Sequence, residues 1–239
     1  MFFDDYPLFA TTSKTASSTS RLNLRHLAMI EANKDILDGA RVLDLASHDG
    51  RWSFAALKAG AAHVTGVEAR QGLVEGAEKT FAEYGVDKGA YDFVHGDLFA
   101  VLQEQDFDVD VVLCLGFMYH TLRYPELLHG ITSTTPTHCV IDTKIIQNDQ
   151  PTVLLRTNDT RAQSAAAKDN TAHGSTVIAG WPSLPALHML LHTYGMDLED
   201  QFDWPGLLAG NQDLLASVRD YHTEGRVTLR YRRRGDAGP

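Results

Sequence analysis

The chain predicts an α/β fold: an open, mostly parallel sheet with helices on both faces. Three observations predict it. From residue 41 onward, short apolar runs alternate with segments of helical period. Small, turn-prone residues follow the first apolar run. Acidic residues stand at the ends of the second and third runs, on the side where open sheets meet ligands.

In chain order, residues 1–20 mix Phe2, Phe3, Tyr6 and Phe9 with a Ser/Thr-rich run from Thr11 to Ser20. The run is flexible in composition, and the aromatics are positioned to anchor it to the body. Ser20 is expected to cap a helix carrying Leu22, Leu24, Leu27 and Ile30, and Gly39 to end the helical segment. Arg21 and Arg25 lie one turn apart, so they either face one anion or form a solvated face, and the solvated face is the simpler reading. Residues 1–38 thus read as an N-terminal helical segment or lid on a domain of residues 39–239.

Val42, Leu43 and Leu45 form the first strand, interrupted by Asp44 and followed by Ala46, Ser47, His48, Asp49 and Gly50. Trp52 to Ala59 reads as an amphipathic helix. Strand, tight turn and helix make a cofactor-binding corner, because turn and helix N–H groups face whatever sits above the strand. Ala62 to Val67 is a second strand with Glu68 at its end. That acid lies about 20 residues beyond the turn, where a carboxylate can accept hydrogen bonds from both hydroxyls of a ribose.

Leu73 to Tyr84 is a helix that stops at Gly85, and Tyr91 to His95 a third strand. Asp97 and Leu98 follow, an acid for an exocyclic amine and an apolar cover for an adenine face, with a plain helix cap as the alternative for Asp97. Val109 to Leu115 is a fourth strand, leading into Gly116-Phe117-Met118-Tyr119-His120. Pro125 opens the helix Glu126 to Ile131, and Cys139 to Asp142 is a fifth strand with an acid at its tip. Residues 143–180 lose regular period and read as an irregular substrate lid. Trp181 to Tyr194 returns to helix. Leu198 to Trp204 and Val227 to Tyr231 are closing strands, and Arg230, Arg232, Arg233 and Arg234 form a solvated basic edge and tail.

The 239 residues suffice for one large α/β domain, and 44% hydrophobic with 22% charged residues is ordinary for a globular chain. A net charge of −10 argues against a general nucleic-acid binder. Cys114 and Cys139 read as buried thiols of a reducing compartment. With no signal segment and no membrane-length apolar run, the cytoplasm is the expected location.

Five strands alternating with helices, with acids at the tips of strands two and three, resemble the class I S-adenosylmethionine-dependent methyltransferases over roughly residues 40–205. That family's Gly-x-Gly-x-Gly turn falls here on Ala46, His48 and Gly50, so only the last glycine stands. Ser47 to Phe54, Leu115 to His120 and Trp181-Pro182-Ser183 are similar to a branch that includes tRNA wobble-uridine methyl- and carboxymethyltransferases and small-molecule enzymes, among them a mycobacterial sugar 1-O-methyltransferase of methylmannose polysaccharide synthesis. The resemblance implies a Rossmann-like seven-stranded sheet. It implies that Ala46, Ser47, His48 and Gly50 shape the methionine pocket, that Glu68 with Ala69 holds the ribose and Asp97 with Leu98 the adenine, and that Leu115 and Gly116 lie beside the sulfonium.

The implied activity is O-methylation of a small-molecule hydroxyl, a sugar hydroxyl first, with S-adenosylmethionine as cofactor and a carbohydrate as partner. A hydroxyl acceptor calls for a base, a metal or both. His120 is the first candidate base, with orientation of Tyr119 or the cofactor as its alternative role. Asp142 is the second, as base or Mg²⁺ ligand, and His173 on the lid the third. Asp149 and Asp169 could join Asp142 as oxygen ligands. A tRNA-modifying enzyme and a non-catalytic nucleotide-binding protein are the competing functions, and a homodimer is allowed.

Overall fold

The computed structural model describes residues 1–12, 18–161 and 170–235. Strands β1 (Arg41–Leu45), β2 (His63–Glu68), β3 (Tyr91–His95), β4 (Val111–Leu115) and β5 (His138–Lys144) pair in parallel where they are neighbours. Strands β6 (Val153–Asp159) and β7 (Thr176–Pro182) form a separate antiparallel pair. Strands β8 (Met196–Gln201) and β9 (Arg226–Arg233) complete the main sheet antiparallel, in the order β3-β2-β1-β4-β5-β9-β8. Connections leave in opposite directions on the two sides of the β1–β4 junction. The crevice above that junction is where an open sheet receives its ligand.

Ten helices run α1 (Leu8–Thr12), α2 (Thr19–Met29), α3 (Lys34–Leu37), α4 (Arg51–Lys58), α5 (Gln71–Glu83), α6 (Leu98–Glu104), α7 (Tyr124–Ser133), α8 (Leu184–Thr193), α9 (Trp204–Ala209) and α10 (Arg219–His222) among the described residues. One core gathers Phe54 of α4 and Phe81 of α5 with Phe3, Phe9, Leu22, Leu24 and Met29, so the N-terminal aromatics do anchor their segment. The other core packs α6, α7 and α8 through Leu102, Leu127 and Leu187 against Leu43, Val112 and Ile141. Cys114 and Cys139 are buried free thiols. No helix among the described residues is long and apolar enough to cross a membrane.

Several elements differ from expectation. Ser18, not Ser20, caps α2, its side chain accepting from the Arg21 N–H at 3.1 Å. Arg21 and Arg25 neither share one anion nor face solvent: Arg21 holds Asp220 through two 2.7 Å bonds, and Arg25 reaches Asp142. The expected irregular lid contains a β-ladder. Its strands escaped notice because Arg156, Thr157, Asn158 and Asp159 give no apolar alternation. Trp181 belongs to β7, and α8 starts after Ser183, whose hydroxyl accepts from the Ala186 N–H. Trp204 starts α9 instead of closing a strand. β9 is not an edge, since it lies between β5 and β8, and Arg230 pairs with Asp35 and Glu199; Arg232, Arg233 and Arg234 are exposed, as expected of a solvated basic end.

Candidate active site

The turn after β1 keeps the backbone of a glycine-rich loop with little glycine. Ala46, His48 and Gly50 have φ of 55°, 58° and 75°. For the first two the left-handed region costs about 1–2 kcal/mol each. Surrounding bonds hold the shape. Ser47 N–H donates to Val67 O at 2.9 Å, and Arg51 Nε donates to Asp49 Oδ1 at 2.7 Å. Thr12 Oγ1 donates to Asp49 Oδ2 at 2.7 Å, tying α1 to the turn. Burial pushes the Asp49 carboxyl upward, but the Arg51 guanidinium overcomes this and holds it well below the usual range. Asp44, near the end of β1, accepts from Ser53 Oγ at 2.6 Å, but burial outweighs this and pushes it up to about 7. The Ser47 hydroxyl is buried with no partner among the described residues.

Glu68 is buried at the tip of β2, with 6% exposure. Its Oε2 accepts from the His48 N–H at 3.1 Å and its Oε1 from the Arg70 N–H at 2.9 Å. Each oxygen therefore keeps a lone pair, and the plane is fixed by two backbone donors. Ala69, half-buried, continues the strand end. Asp97 caps α6 by accepting from Phe99 and Ala100 N–H groups on Oδ1 alone, so the capping role and a free Oδ2 coexist. Leu98 and Leu115 are buried in the two cores, at 5% and 8% exposure. Gly116 has φ 97°, and its N–H donates to Asp142 O at 2.8 Å.

Asp142, expected as a base or metal ligand, has neither post. It is fully buried, and its two oxygens accept from Arg226 Nε at 2.7 Å, Arg25 Nη2 at 3.2 Å, Tyr221 Oη at 2.8 Å and Thr228 Oγ1 at 2.8 Å. Burial opposes its ionisation, but the two guanidiniums prevail and hold it below the usual carboxylate range. Such a saturated carboxylate is a brace. Among the described residues no three His, Cys, Asp or Glu side chains converge as a metal site, and Asp169 lies outside them. Asp149 is exposed.

Arg25 is a residue the sequence reading left on the surface. It is 8% exposed, its guanidinium lies 5.1 Å from the Trp52 ring, and it borders the open side of Gly116. Its Nη1 has no partner among the described residues. Left-handed turn residues, the spare lone pairs of Glu68, the Ser47 hydroxyl and a buried guanidinium edge suit the amino-acid end and the ribose of S-adenosylmethionine.

His120 closes a 3₁₀ turn, Met118–His120, after β4. Its ring centroid is 4.2 Å from that of Tyr119, and its Nδ1 is 3.5 Å from Asn158 Nδ2 of β6. The hairpin therefore covers the turn after β4, joined also by the Gly180 N–H to Thr121 O at 3.1 Å and by Tyr124 Oη to Gly180 O at 2.6 Å. His173 lies exposed beyond the last β6–β7 pair, and among the described residues it bonds Thr176 through the backbone. Sequence reasoning missed Asn158 and Arg156, because strand pairing brings them to the site and no local motif marks them, and it placed Trp181 in a resembling stretch without giving it a role.

Residues 42–135 match the family described as a methyltransferase domain. No curated protein matches the chain. Among solved structures, an S-adenosylmethionine-dependent methyltransferase from Mesorhizobium loti aligns with TM-score 0.59 and 14% identity, over 88% of this chain and 100% of that one. The Burkholderia thailandensis 1,6-didemethyltoxoflavin-N1-methyltransferase, bound to its substrate and S-adenosylhomocysteine, gives 0.59 and 15% over 98% and 84%. The N-terminal domain of EvdMO1, in the presence of S-adenosylhomocysteine and D-fucose, gives 0.58 and 15% over 92% and 84%. The matched segment holds the turn, Glu68, Asp97 and His120, and the neighbours share the sheet around them: residues 42–135 are similar to a methyltransferase domain, and the fold is the one these methyltransferases share.

Proposed function

We propose that the chain is an S-adenosylmethionine-dependent O-methyltransferase acting on a small molecule, with a sugar hydroxyl as acceptor. The observation that carries this reading is the setting of His120, a titratable ring at the carboxyl end of β4, backed by Tyr119 and met by Asn158 of the hairpin. Aromatic faces with a few polar groups are what a polyhydroxylated ring needs for orientation. That a structural neighbour was solved in the presence of D-fucose supports the sugar reading.

S-adenosylmethionine, when bound, supplies an activated methyl group. Ser47 and the turn around it would hold the methionine end, Glu68 the ribose, and Asp97 with Leu98 the adenine. What remains for the protein is to align the acceptor, exclude water and take up a proton. His120 Nε2 can take the hydroxyl proton if Nδ1 carries its own hydrogen. An Asn158 amide turned with Oδ1 toward the ring would accept that hydrogen and fix the tautomer.

The test pairs binding with turnover. Calorimetry should show S-adenosylhomocysteine binding to the wild type and to His120→Ala alike, while methyl transfer to a panel of monosaccharides falls at least 100-fold in the variant. Wild-type activity in His120→Ala would place the base elsewhere. A gel shift with bulk tRNA, coupled with no sugar methylation, would favour the RNA-modifying alternative.

A further inference from the structure

We propose that the acceptor carries an anionic group, a phosphate or a carboxylate, and that Lys144, Trp181 and Arg156 receive it. The proposal rests on the methyltransferase reading above and narrows its substrate. Lys144 ends β5 at the ligand side of the sheet. Its ammonium lies 5.0 Å from the Trp181 ring centroid and 5.3 Å from that of Tyr119. The Arg156 guanidinium lies 4.7 Å from the same Trp181 ring. Two cations thus share one indole, and neither has a carboxylate within ion-pair distance among the described residues.

The chain has acids to spare, with 31 Asp and Glu against 21 Lys and Arg. Its other site arginines use them: Arg25 and Arg226 meet Asp142, Arg51 meets Asp49, and Arg123 meets Glu126. Lys144 stands directly across from Arg226 in the β5–β9 ladder, where like charges repel. Asp142 compensates Arg226, but nothing described compensates Lys144. Ring faces relieve such crowding only in part. A bound anion between the two cations would relieve the rest.

The placement also suits one substrate reaching both groups. Arg156 and Asn158 are two residues apart on β6, hence on one face and about 7 Å apart along the strand. Asn158 meets His120, the candidate base. An anion at Arg156 and a hydroxyl at His120 are then separated by roughly one monosaccharide.

The test follows the Trp181 indole N–H, assigned with Trp181→Phe, in ¹⁵N-labelled protein loaded with S-adenosylhomocysteine. Glucose, glucose 6-phosphate and glucuronate are titrated in parallel. At least one anionic sugar should shift the resonance saturably, at a midpoint tenfold or more below that of glucose, and the two arms tell phosphate from carboxylate. Lys144→Gln and Arg156→Gln should each raise that midpoint at least fivefold while S-adenosylhomocysteine binds unchanged. Equal midpoints for glucose and its charged derivatives, no saturable response to any probe, or responses that survive both substitutions would overturn the proposal. Wild-type protein that takes up no S-adenosylhomocysteine would instead defeat the underlying reading.

Discussion

At the scale of single residues, two carboxylates in adjacent strands show how environment divides one chemistry. Glu68 has a backbone donor on each oxygen and lone pairs left over, so its carboxylate is set to accept from hydroxyls. Glu68→Ala should weaken S-adenosylhomocysteine binding by about 1–3 kcal/mol, the cost of ribose hydroxyls left without an acceptor; calorimetry showing equal affinity would remove Glu68 from the site. Asp44 is the opposite case, held up to about 7 by burial against an ordinary 3.8, with one hydroxyl donor in compensation. Below about pH 4 both native and unfolded chains keep this proton, and Asp44 contributes nothing to pH dependence. Between 4 and 7 the unfolded chain releases it and the native state retains it, so this group lowers stability as pH rises. Asp44→Asn should gain stability relative to wild type across that window, by at most about 4 kcal/mol. Urea melts at pH 4, 5.5 and 7 measure this, and a difference constant with pH would mean that Asp44 ionises normally in the fold.

At the scale of elements, the turn between β1 and α4 is where sequence and structure have to be compared with care. A glycine pattern is a proxy for backbone conformation, and here the conformation persists at Ala46 and His48 without the proxy. The strain is met by neighbours far away in sequence, Val67, Glu68 and Thr12, none of which a local motif contains. Gly50 alone could not be replaced, because space as well as φ is at issue. A Cβ there would lie 2.8 Å from Phe93 Cζ, 3.0 Å from Phe81 and 3.1 Å from Ala77. Gly50→Ala combines left-handed strain with overpacking and should cost about 2–4 kcal/mol. Ala46→Gly should not destabilise the protein in the same urea assay, and a Gly50→Ala midpoint equal to wild type would show that the rings yield. The parallel strands and the acids at their tips were legible because burial on both faces leaves unbroken apolar runs that end abruptly. The β6–β7 hairpin was not, since the polar run Arg156 to Asp159 leaves β6 without apolar alternation, and hydrogen bonds of Gly180 with Thr121 and Tyr124 hold it on the turn after β4. Asp142 misled for a related reason: an acid at a strand tip looks the same in sequence whether it meets ligand or four internal donors.

At the scale of the whole molecule, the N-terminal helix α2 and the last strand β9 converge on Asp142 of β5. Arg21 and Arg25 of α2 and Arg226 of β9 bring three positive charges, and Asp142 and Asp220 supply two negative ones. The cluster is mostly buried and carries one uncompensated cation, which the site would neutralise by taking an anion. Arg25 Nη1 has no hydrogen-bond partner among the described residues, and the guanidinium lies beside Trp52 and Gly116. The carboxylate of the cofactor's amino-acid end is the anion available there, and a charge-assisted hydrogen bond of this kind contributes about 1.5–3 kcal/mol. Arg25→Gln should therefore weaken S-adenosylhomocysteine binding by at least tenfold. The same substitution should leave 5′-methylthioadenosine, which has no amino-acid end, bound as before. Asp142 keeps Arg226, Tyr221 and Thr228 in the variant, so the brace survives, and binding of 5′-methylthioadenosine reports that it has. Equal losses for both ligands would make Arg25 a structural strut. No loss for either would mean that the extra charge is met by solvent, and that the N-terminal helix takes no part in holding the cofactor.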